Sequence, residues 1–321
     1  MTRLLRPRPF MQVDVFTAVP CLGNPLAVVL DGSGLSDDAM QRFAHWTNLS
    51  ETTFVLPPTP EGRAAGADYR VRIFTPGAEL PFAGHPTLGT CHAWLAHGGQ
   101  PLEAGVVRQE CGVGLVALRD VGGRTAFAAP PLARSAPDGE HLARVLAALG
   151  LAPRQVRATQ RLNNGPEWLG LLIDHPDTLW ALTPDHAALK VLGQKVGVAA
   201  QPTDPLLIGR SNREARAFQA GAAMAAAGTV AAPAQGTEAE PDLWVRAFAA
   251  PVGVDEDPVT GSLNASLAQW LMAEGHLPDH YTAAQGQALG RDGRVYLSRD
   301  ASDQVWVGGD VTLCIRGEVT L

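Results

Sequence analysis

Alternating apolar and polar residues predict β-strands along much of the chain. Residues 11–19 carry Val13 and Val15 on one face, and a Gly-Asn-Pro break at 23–25 separates them from a second apolar run at 26–30. Such alternation is typical of half-buried strands, so the two runs predict a β-hairpin with a wide loop. The other runs that predict strands are 52–56, 69–74, 106–109, 114–118 and 168–173.

Three segments have the pattern of helices. Ser36 can cap a helix that runs to about residue 46, and two aspartates follow it in the first turn. Residues 85–95 place apolar side chains at helical spacing, with Pro86 in the first turn, where proline is tolerated. Residues 140–149 form an amphipathic helical pattern.

One segment of the chain is echoed, in the same order, by a later one. The first copy starts with Val-Arg-Ile-Phe at 71–74 and ends with Trp-Leu at 94–95. The second starts with Val-Arg-Ala-Phe at 245–248 and ends with Trp-Leu at 270–271. Between these ends, both copies have a proline-containing turn, an acidic position and a glycine at a helix start, which predicts a duplicated fold.

A chain of 321 residues is long for one hydrophobic core and predicts two domains. The proline-rich passage 129–137 is the candidate boundary, which gives halves at 1–130 and 131–321. We expect a C-terminal strand near 311–321 to return to the first half. The Ala/Gly-rich stretch 213–241 is predicted to be a flexible insertion without chemistry of its own.

Composition and charge narrow the function classes. The chain is 46% hydrophobic and 18% charged, and its net charge of -7 argues against nucleic-acid partners. No apolar run is long enough for a membrane span, and the first residues lack an export signal, so we expect a cytoplasmic protein. None of the four cysteines forms a CxxC pair, so neither a zinc site nor a disulfide framework is indicated.

Two glycines, Gly84 and Gly261, mark corresponding helix starts in the two copies. Helix N-termini present unpaired N–H groups and a partial positive charge, so two of them facing one cleft would hold a carboxylate. Glycine at these positions would let the ligand approach the backbone closely. Ordinary turn glycines would give the same pattern, and the sequence leaves both interpretations open.

Glu51 and His85 are the first candidates for proton chemistry. Glu51 begins an apolar strand, and burial there would raise the pKa of its carboxyl towards that of a neutral-pH acid or base. Its immediate neighbours fit a solvated surface carboxylate better. His85 follows a glycine at a helix start, where the helix dipole would keep the imidazole neutral. It could also simply cap its own helix.

Asp257 and Ser262 lie in a second candidate segment, where three successive acidic residues, 255–257, precede a turn and a helix start. N-capping alone could explain any one of these carboxylates. They resemble part of a divalent metal site, but no second cluster completes the ligand set, so we predict no metal. Motifs for nucleotide binding and for serine hydrolysis are absent from the sequence.

These segments together resemble the phenazine-biosynthesis isomerase family (PhzF-like proteins), which has the diaminopimelate-epimerase fold. The motifs that carry the resemblance lie in the family's order over most of the chain: VDVFT at 13–17, GNP at 23–25, NLSET at 48–52, FTP at 74–76, LPFAGHP at 80–86 and EDPVTGS at 256–262.

The resemblance implies an α/β (α+β) fold of two pseudo-symmetric halves. Each half would be a curved, mostly antiparallel, barrel-like sheet around a central helix, with the site in the cleft between them. Glu51 matches the family's catalytic acid/base. The positions that match the substrate pocket are His85, Asp257 and Ser262, with Gly84 and Gly261 beside the bound carboxylate.

The function that the resemblance implies is a proton shift on a small carboxylate substrate, as in the isomerisation of a dihydro-hydroxyanthranilate. No metal, nucleotide or flavin is expected, and a homodimer is. The alternatives are an amino-acid epimerase or racemase on the same fold and a non-catalytic binder of small carboxylates. Epimerases of this fold use paired cysteines, and none lies near Gly84 or Asp257, which argues against a two-thiol mechanism.

Overall fold

The structure, a computed structural model, describes residues 5–202 and 240–321. The predicted insertion at 213–241 lies outside these residues except for its last two positions. Over the described ranges the helices are α1 Asp37–Thr47, α2 Pro60–Ala64, α3 Gly84–Ala96, α4 Gly139–Leu149, α5 Pro176–Trp180, α6 His186–Leu192 and α7 Gly261–Ala273.

The strands divide into two series along the chain. The first series is β1 Pro7–Val15, β2 Asn24–Val29, β3 Glu51–Leu56, β4 Tyr69–Phe74, β5 Glu79–Leu80, β6 Val106–Cys111, β7 Gly114–Val121 and β8 Arg124–Ala128. The second is β9 Ala133–Ser135, β10 Val156–Asn163, β11 Glu167–Ile173, β12 Val196–Ala200, β13 Leu243–Ala249, β14 Val254–Asp257, β15 His280–Gln285, β16 Gly293–Arg299, β17 Val305–Gly308 and β18 Val311–Thr320.

The predicted hairpin and helices are present, but the first strand is displaced from its predicted position. It runs from residue 7 to 15 rather than from 11 to 19, because Phe16 takes a left-handed backbone conformation, with φ 67°, that ends it. Helix α1 begins as predicted, since the Ser36 side chain accepts a hydrogen bond from the N–H of Ala39.

Strand pairing repeats between the two series. In the first, β1 and β2 are antiparallel, β2 and β3 parallel, β3 and β4 antiparallel, β4 and β6 parallel, and β6, β7 and β8 antiparallel. The second series repeats this order and these directions in strands β10, β11, β12, β13, β15, β16 and β17. The outer neighbours also correspond, since β18 flanks β1 and β9 flanks β10.

The two series join into one sheet through two antiparallel pairs, β8 with β17 and β1 with β18. This curved, mostly antiparallel sheet with few helices confirms the predicted fold class. Because the sheet is continuous, the division at residues 130 and 131 stays a prediction. No helix over the described residues is long and apolar enough to cross a membrane.

Helices α3 and α7 lie at the centre of their halves. Each has 13 residues, carries no Asp, Glu, Lys or Arg, and is buried around most of its circumference. A helix with no charged side chain on any face is typical of a protein core, and small residues such as Gly89 and Ala265 let neighbouring elements pack closely against it. The two helices start at the same place in the molecule, which positions the candidate site.

Candidate active site

A cleft of about 730 Å³ lies between the two halves, and residues of both halves line it. Glu51, Asp257 and Ser262 are part of its lining. His85 lies directly behind Glu51, with only 4% of its side chain exposed. The structure therefore brings the candidates from positions 51–85 and 257–262 to one place, although they are distant in sequence.

Gly84 and Gly261 lie against each other where α3 and α7 begin. A Cβ atom built on Gly84 would be 2.7 Å from the Cα of Gly261, and one built on Gly261 would be 2.8 Å from the Cα of Gly84. These distances leave no room for a side chain at either position. The first requirement for glycine here is thus the contact between two helix N-termini, rather than the close approach of a ligand that the sequence suggested.

The N-termini of α3 and α7 have no side-chain cap. Neither Ala83 nor Thr260, the residues at the cap positions, gives a side-chain hydrogen bond to its helix, and no acidic residue lies in either first turn. By contrast, Ser36, Asp138 and Asp185 cap α1, α4 and α6. The backbone N–H groups at the two central helix starts therefore remain available for a negatively charged ligand group.

Glu51 is the first residue of β3, and its carboxyl faces the imidazole of His85. Glu51 Oε2 and His85 Nε2 are 3.3 Å apart, and only 15% of the Glu51 side chain is exposed. Burial and the negative charge of Asp257 raise the pKa of Glu51 to about 8, although a hydrogen bond from Ser50 opposes the shift. The carboxyl can therefore both accept and donate a proton near neutral pH.

The imidazole of His85 is neutral in this environment. Burial lowers its pKa to about 3, because the charged form would lose its hydration. Its Nδ1 lies 3.3 Å from the amide Nδ2 of Asn24, which is a hydrogen-bond donor, so we assign the ring proton to Nε2. Nε2 then lies 3.3 Å from Glu51 Oε2, but neither atom has a hydrogen-bond partner among the described residues, so the N–H is close to the carboxyl without donating to it.

Asn24 connects the two halves at the site, and sequence reasoning did not select it. Its side chain is fully buried, and Nδ2 lies 2.9 Å from both Asp257 Oδ1 and the carbonyl oxygen of Val259. Its Oδ1 accepts a hydrogen bond from the Ser50 hydroxyl at 3.2 Å. The signal available in the sequence is its place in the Gly-Asn-Pro segment, which marks a loop and is one of the motifs of the family resemblance but gives no role for Asn24 itself.

Asp257 ends β14, and hydrogen bonds hold its carboxylate in place. Thr260 Oγ1 donates to Oδ2 at 2.6 Å, and Gln285 Nε2 donates to the backbone oxygen of Asp257 at 2.9 Å. Burial raises the pKa of Asp257 to about 6, while the hydrogen bonds from Thr260 and Asn24 oppose the shift. Of these two neighbouring carboxyls, Glu51 therefore keeps its proton to the higher pH.

No cysteine lines the cleft: Cys91 and Cys111 are buried elsewhere, and Cys21 and Cys314 are exposed. The described residues also contain no group of three or more His, Cys, Asp or Glu side chains that could hold a metal ion. The acid/base groups that line the cleft are therefore carboxyls and the amines of Lys190 and Lys195, with the neutral imidazole of His85 behind Glu51. That the reaction needs no cofactor stays a prediction.

Comparison with known proteins assigns this duplicated fold and carboxyl-lined cleft to one family of isomerases. The family model described as phenazine biosynthesis-like protein matches residues 13–317, and the chain belongs to this family. This confirms the resemblance seen in the sequence motifs.

The chain is similar to proteins with different names, and these differ in sequence identity and in the share of the chain that they match. The antisense-enhancing sequence 1 protein of Schizosaccharomyces pombe is 31% identical over 96% of this chain and 97% of its own length. The trans-2,3-dihydro-3-hydroxyanthranilate isomerase of Pseudomonas aeruginosa is 40% identical, but over 56% of this chain and 62% of its own length. A PhzF-family protein of Bacillus anthracis has the same fold, with a TM-score of 0.73 and 22% identity over 98% of this chain and all of its own.

Proposed function

We propose that this isomerase moves a proton between two carbons of a small carboxylate substrate, with Glu51 as the acid/base. The observation that carries the proposal is the buried Glu51 carboxyl beside the neutral His85, next to two uncapped helix N-termini. These features support the proposal because they put a carboxyl that can carry a proton beside backbone N–H groups that can bind a carboxylate.

The substrate carboxylate would dock on the N-termini of α3 and α7. Backbone N–H groups near Gly84 and Gly261 would donate to its oxygens, and the Ser262 side chain lines the cleft beside them. Asp257, held by Asn24 and Thr260, would bind a hydrogen-bond donor of the substrate, such as an amino or hydroxyl group. These contacts would fix the reacting carbon against Glu51.

Glu51 alone can both remove and return the proton. In its ionised form the carboxylate takes a proton from an activated carbon, and the electrons of the broken C–H bond enter the neighbouring double-bond system. Glu51 then returns the proton to another carbon on the same face, and the double bond moves. A rotation of the His85 ring would bring its Nε2 N–H, 3.3 Å from Glu51 Oε2, into line to stabilise the carboxylate form at the start and end of this cycle. General acid/base catalysis of this kind contributes about 10²–10⁴-fold to the rate.

The particular reaction we propose is a ring isomerisation of the dihydro-hydroxyanthranilate type. Support comes from the P. aeruginosa relative named for that activity, which matches part of this chain. Epimerisation of an amino acid is the alternative reaction in the same cleft. We also propose a cytoplasmic location and a homodimer, as the family resemblance implies. Light scattering after gel filtration tests whether the protein is a dimer.

The test is a deuterium-exchange screen in heavy water with cyclic and amino-acid-like carboxylates. The proposal expects at least one compound to gain deuterium at one carbon while its double bond moves. Exchange at an α-carbon with loss of chirality would replace ring isomerisation by epimerisation. Tight binding of several carboxylates without any exchange would contradict the catalytic proposal and favour a binding protein.

A further inference from the structure

The two halves of the cleft can be compared residue by residue because each contains the same ion pair. In the first half, the distance from Arg72 Nη2 to Glu79 Oε2 is 2.5 Å. In the second half, the distance from Arg246 Nη2 to Glu256 Oε2 is 2.8 Å. Each arginine is the second residue of its Val-Arg-x-Phe strand, and each glutamate lies on the short strand that follows. The two ion pairs therefore show that β4 corresponds to β13 and that β5 corresponds to β14.

The strand registers extend this alignment to the neighbouring strands. Phe74 of β4 lies opposite Thr52 of β3, and Phe248 of β13 lies opposite Val196 of β12. Since the two phenylalanines close corresponding Val-Arg-x-Phe segments, Thr52 and Val196 hold the same place in their halves.

The residue before each of these positions is charged. Glu51 precedes Thr52, and Lys195 precedes Val196, so Lys195 is the second-half counterpart of Glu51. Both side chains line the same cleft. The chain has only two lysines, Lys190 and Lys195, and both line the cleft.

Lys195 lies beside an aromatic ring that has an unused hydrogen-bond donor. Its Nζ is 5.1 Å from the centroid of the Trp168 ring. Trp168 is 3% exposed and lines the cleft, and its Nε1 is buried with no hydrogen-bond partner among the described residues. A buried donor without an acceptor is costly, and an oxygen of a bound ligand would satisfy it.

The backbone of Lys195 is fixed, while its ammonium group forms no ion pair within the part of the chain that the structure describes. Gln194 donates to the Lys195 carbonyl oxygen at 2.9 Å and contacts His141 Nε2 at 3.1 Å. Glu167 also lines the cleft, but its carboxylate forms an ion pair with Arg161. Burial lowers the pKa of Lys195, and the charge of Glu167 opposes this shift.

We propose that Lys195, together with Trp168, binds a second anionic oxygen group of the substrate, so that the substrate is a dianion and differs in this from dihydro-hydroxyanthranilate, which has one carboxylate. The first carboxylate would lie on the helix N-termini, as in the proposed function on which this inference rests. The duplicated fold thus places a proton carrier at position 51 in one half and an anion-binding cation at the equivalent position 195 in the other.

The test uses isothermal titration calorimetry with glutarate and adipate against the monocarboxylates valerate and hexanoate. The wild-type protein should bind each dicarboxylate more tightly than the monocarboxylate of the same length. Lys195→Met should weaken dicarboxylate binding by about 10- to 100-fold, as for a lost charge-assisted hydrogen bond, and leave monocarboxylate binding within about 2-fold. Lys195→Arg should retain most of the preference for dicarboxylates.

Lys190→Met is the matched control, since it removes the other lysine of the cleft lining. An equal or larger loss in Lys190→Met would overturn the assignment to Lys195. Equal affinity of the wild type for both acid classes would overturn the second anion site alone. Failure of all four acids to bind would instead contradict the carboxylate docking in the proposed function. Unchanged dicarboxylate binding in a folded Lys195→Met variant would also reject the inference.

Discussion

The side-chain amide of Asn24 lies 2.9 Å from Asp257 Oδ1, and this contact joins the first half of the molecule to the second inside the candidate site. The same amide nitrogen is 2.9 Å from the carbonyl oxygen of Val259. One buried side chain therefore determines both the position of the Asp257 carboxylate and the path of the segment that leads into α7.

Asn24→Ala should destabilise the protein because it leaves buried acceptors without a donor. We expect the free energy of unfolding, measured by urea denaturation, to fall by about 1–3 kcal/mol. Ser50→Ala leaves the Asn24 amide donor in place, although it removes the Ser50 hydroxyl from Asn24 Oδ1 and Glu51, and should have a smaller effect. If Asn24→Ala were no less stable than Ser50→Ala, the connection between the halves through this amide would be unimportant.

Gly84→Ala should disrupt the contact between the two central helices. The added methyl group would lie 2.7 Å from backbone atoms of Gly261, which cannot move aside as a flexible side chain can. We expect a loss of about 1–3 kcal/mol in the free energy of unfolding, as for an overpacked core. Gly139→Ala is the control, because Gly139 also begins a helix but has open space around its Cβ position. Similar effects of the two substitutions would contradict the proposed close contact.

The raised pKa of Glu51 predicts how stability depends on pH. Its pKa is about 8 in the folded protein and 4.5 when unperturbed, so between these values the unfolded state releases a proton that the folded state keeps. The contribution of Glu51 is therefore complete below about pH 4.5 and is lost as the pH rises to about 8. Glu51→Gln should flatten this part of the stability profile measured by denaturation. A wild-type profile that coincides with that of Glu51→Gln would mean that the carboxyl is not buried in its neutral form.

The sequence predicted elements better where the deciding residues are local. Ser36 and its two aspartates were enough to start α1, because a helix cap depends on the next three residues. The end of β1 was missed, since the left-handed Phe16 has no signal in its own residue type. The duplication could be found because Val-Arg-x-Phe and Trp-Leu recur in order.

The site was predicted less completely because burial is decided by distant residues. The neighbours of Glu51 in sequence suggested a solvated acid, whereas His85 and Asp257, from other elements, surround it in the fold. The acid/base role of Glu51 was predicted from the family resemblance and not from the physical character of its neighbours in sequence. Lys195 gave no signal at all, since its equivalence to Glu51 appears only once the strand registers are known.

The most direct test of the account is proton exchange by Glu51→Gln. With a carboxylate that the wild-type protein labels in heavy water, deuterium uptake is followed by NMR for both proteins, and ligand affinity is measured in parallel. The account predicts that exchange falls by about 10²–10⁴-fold while the ligand still binds. Wild-type exchange in a folded Glu51→Gln protein would show that another group moves the proton.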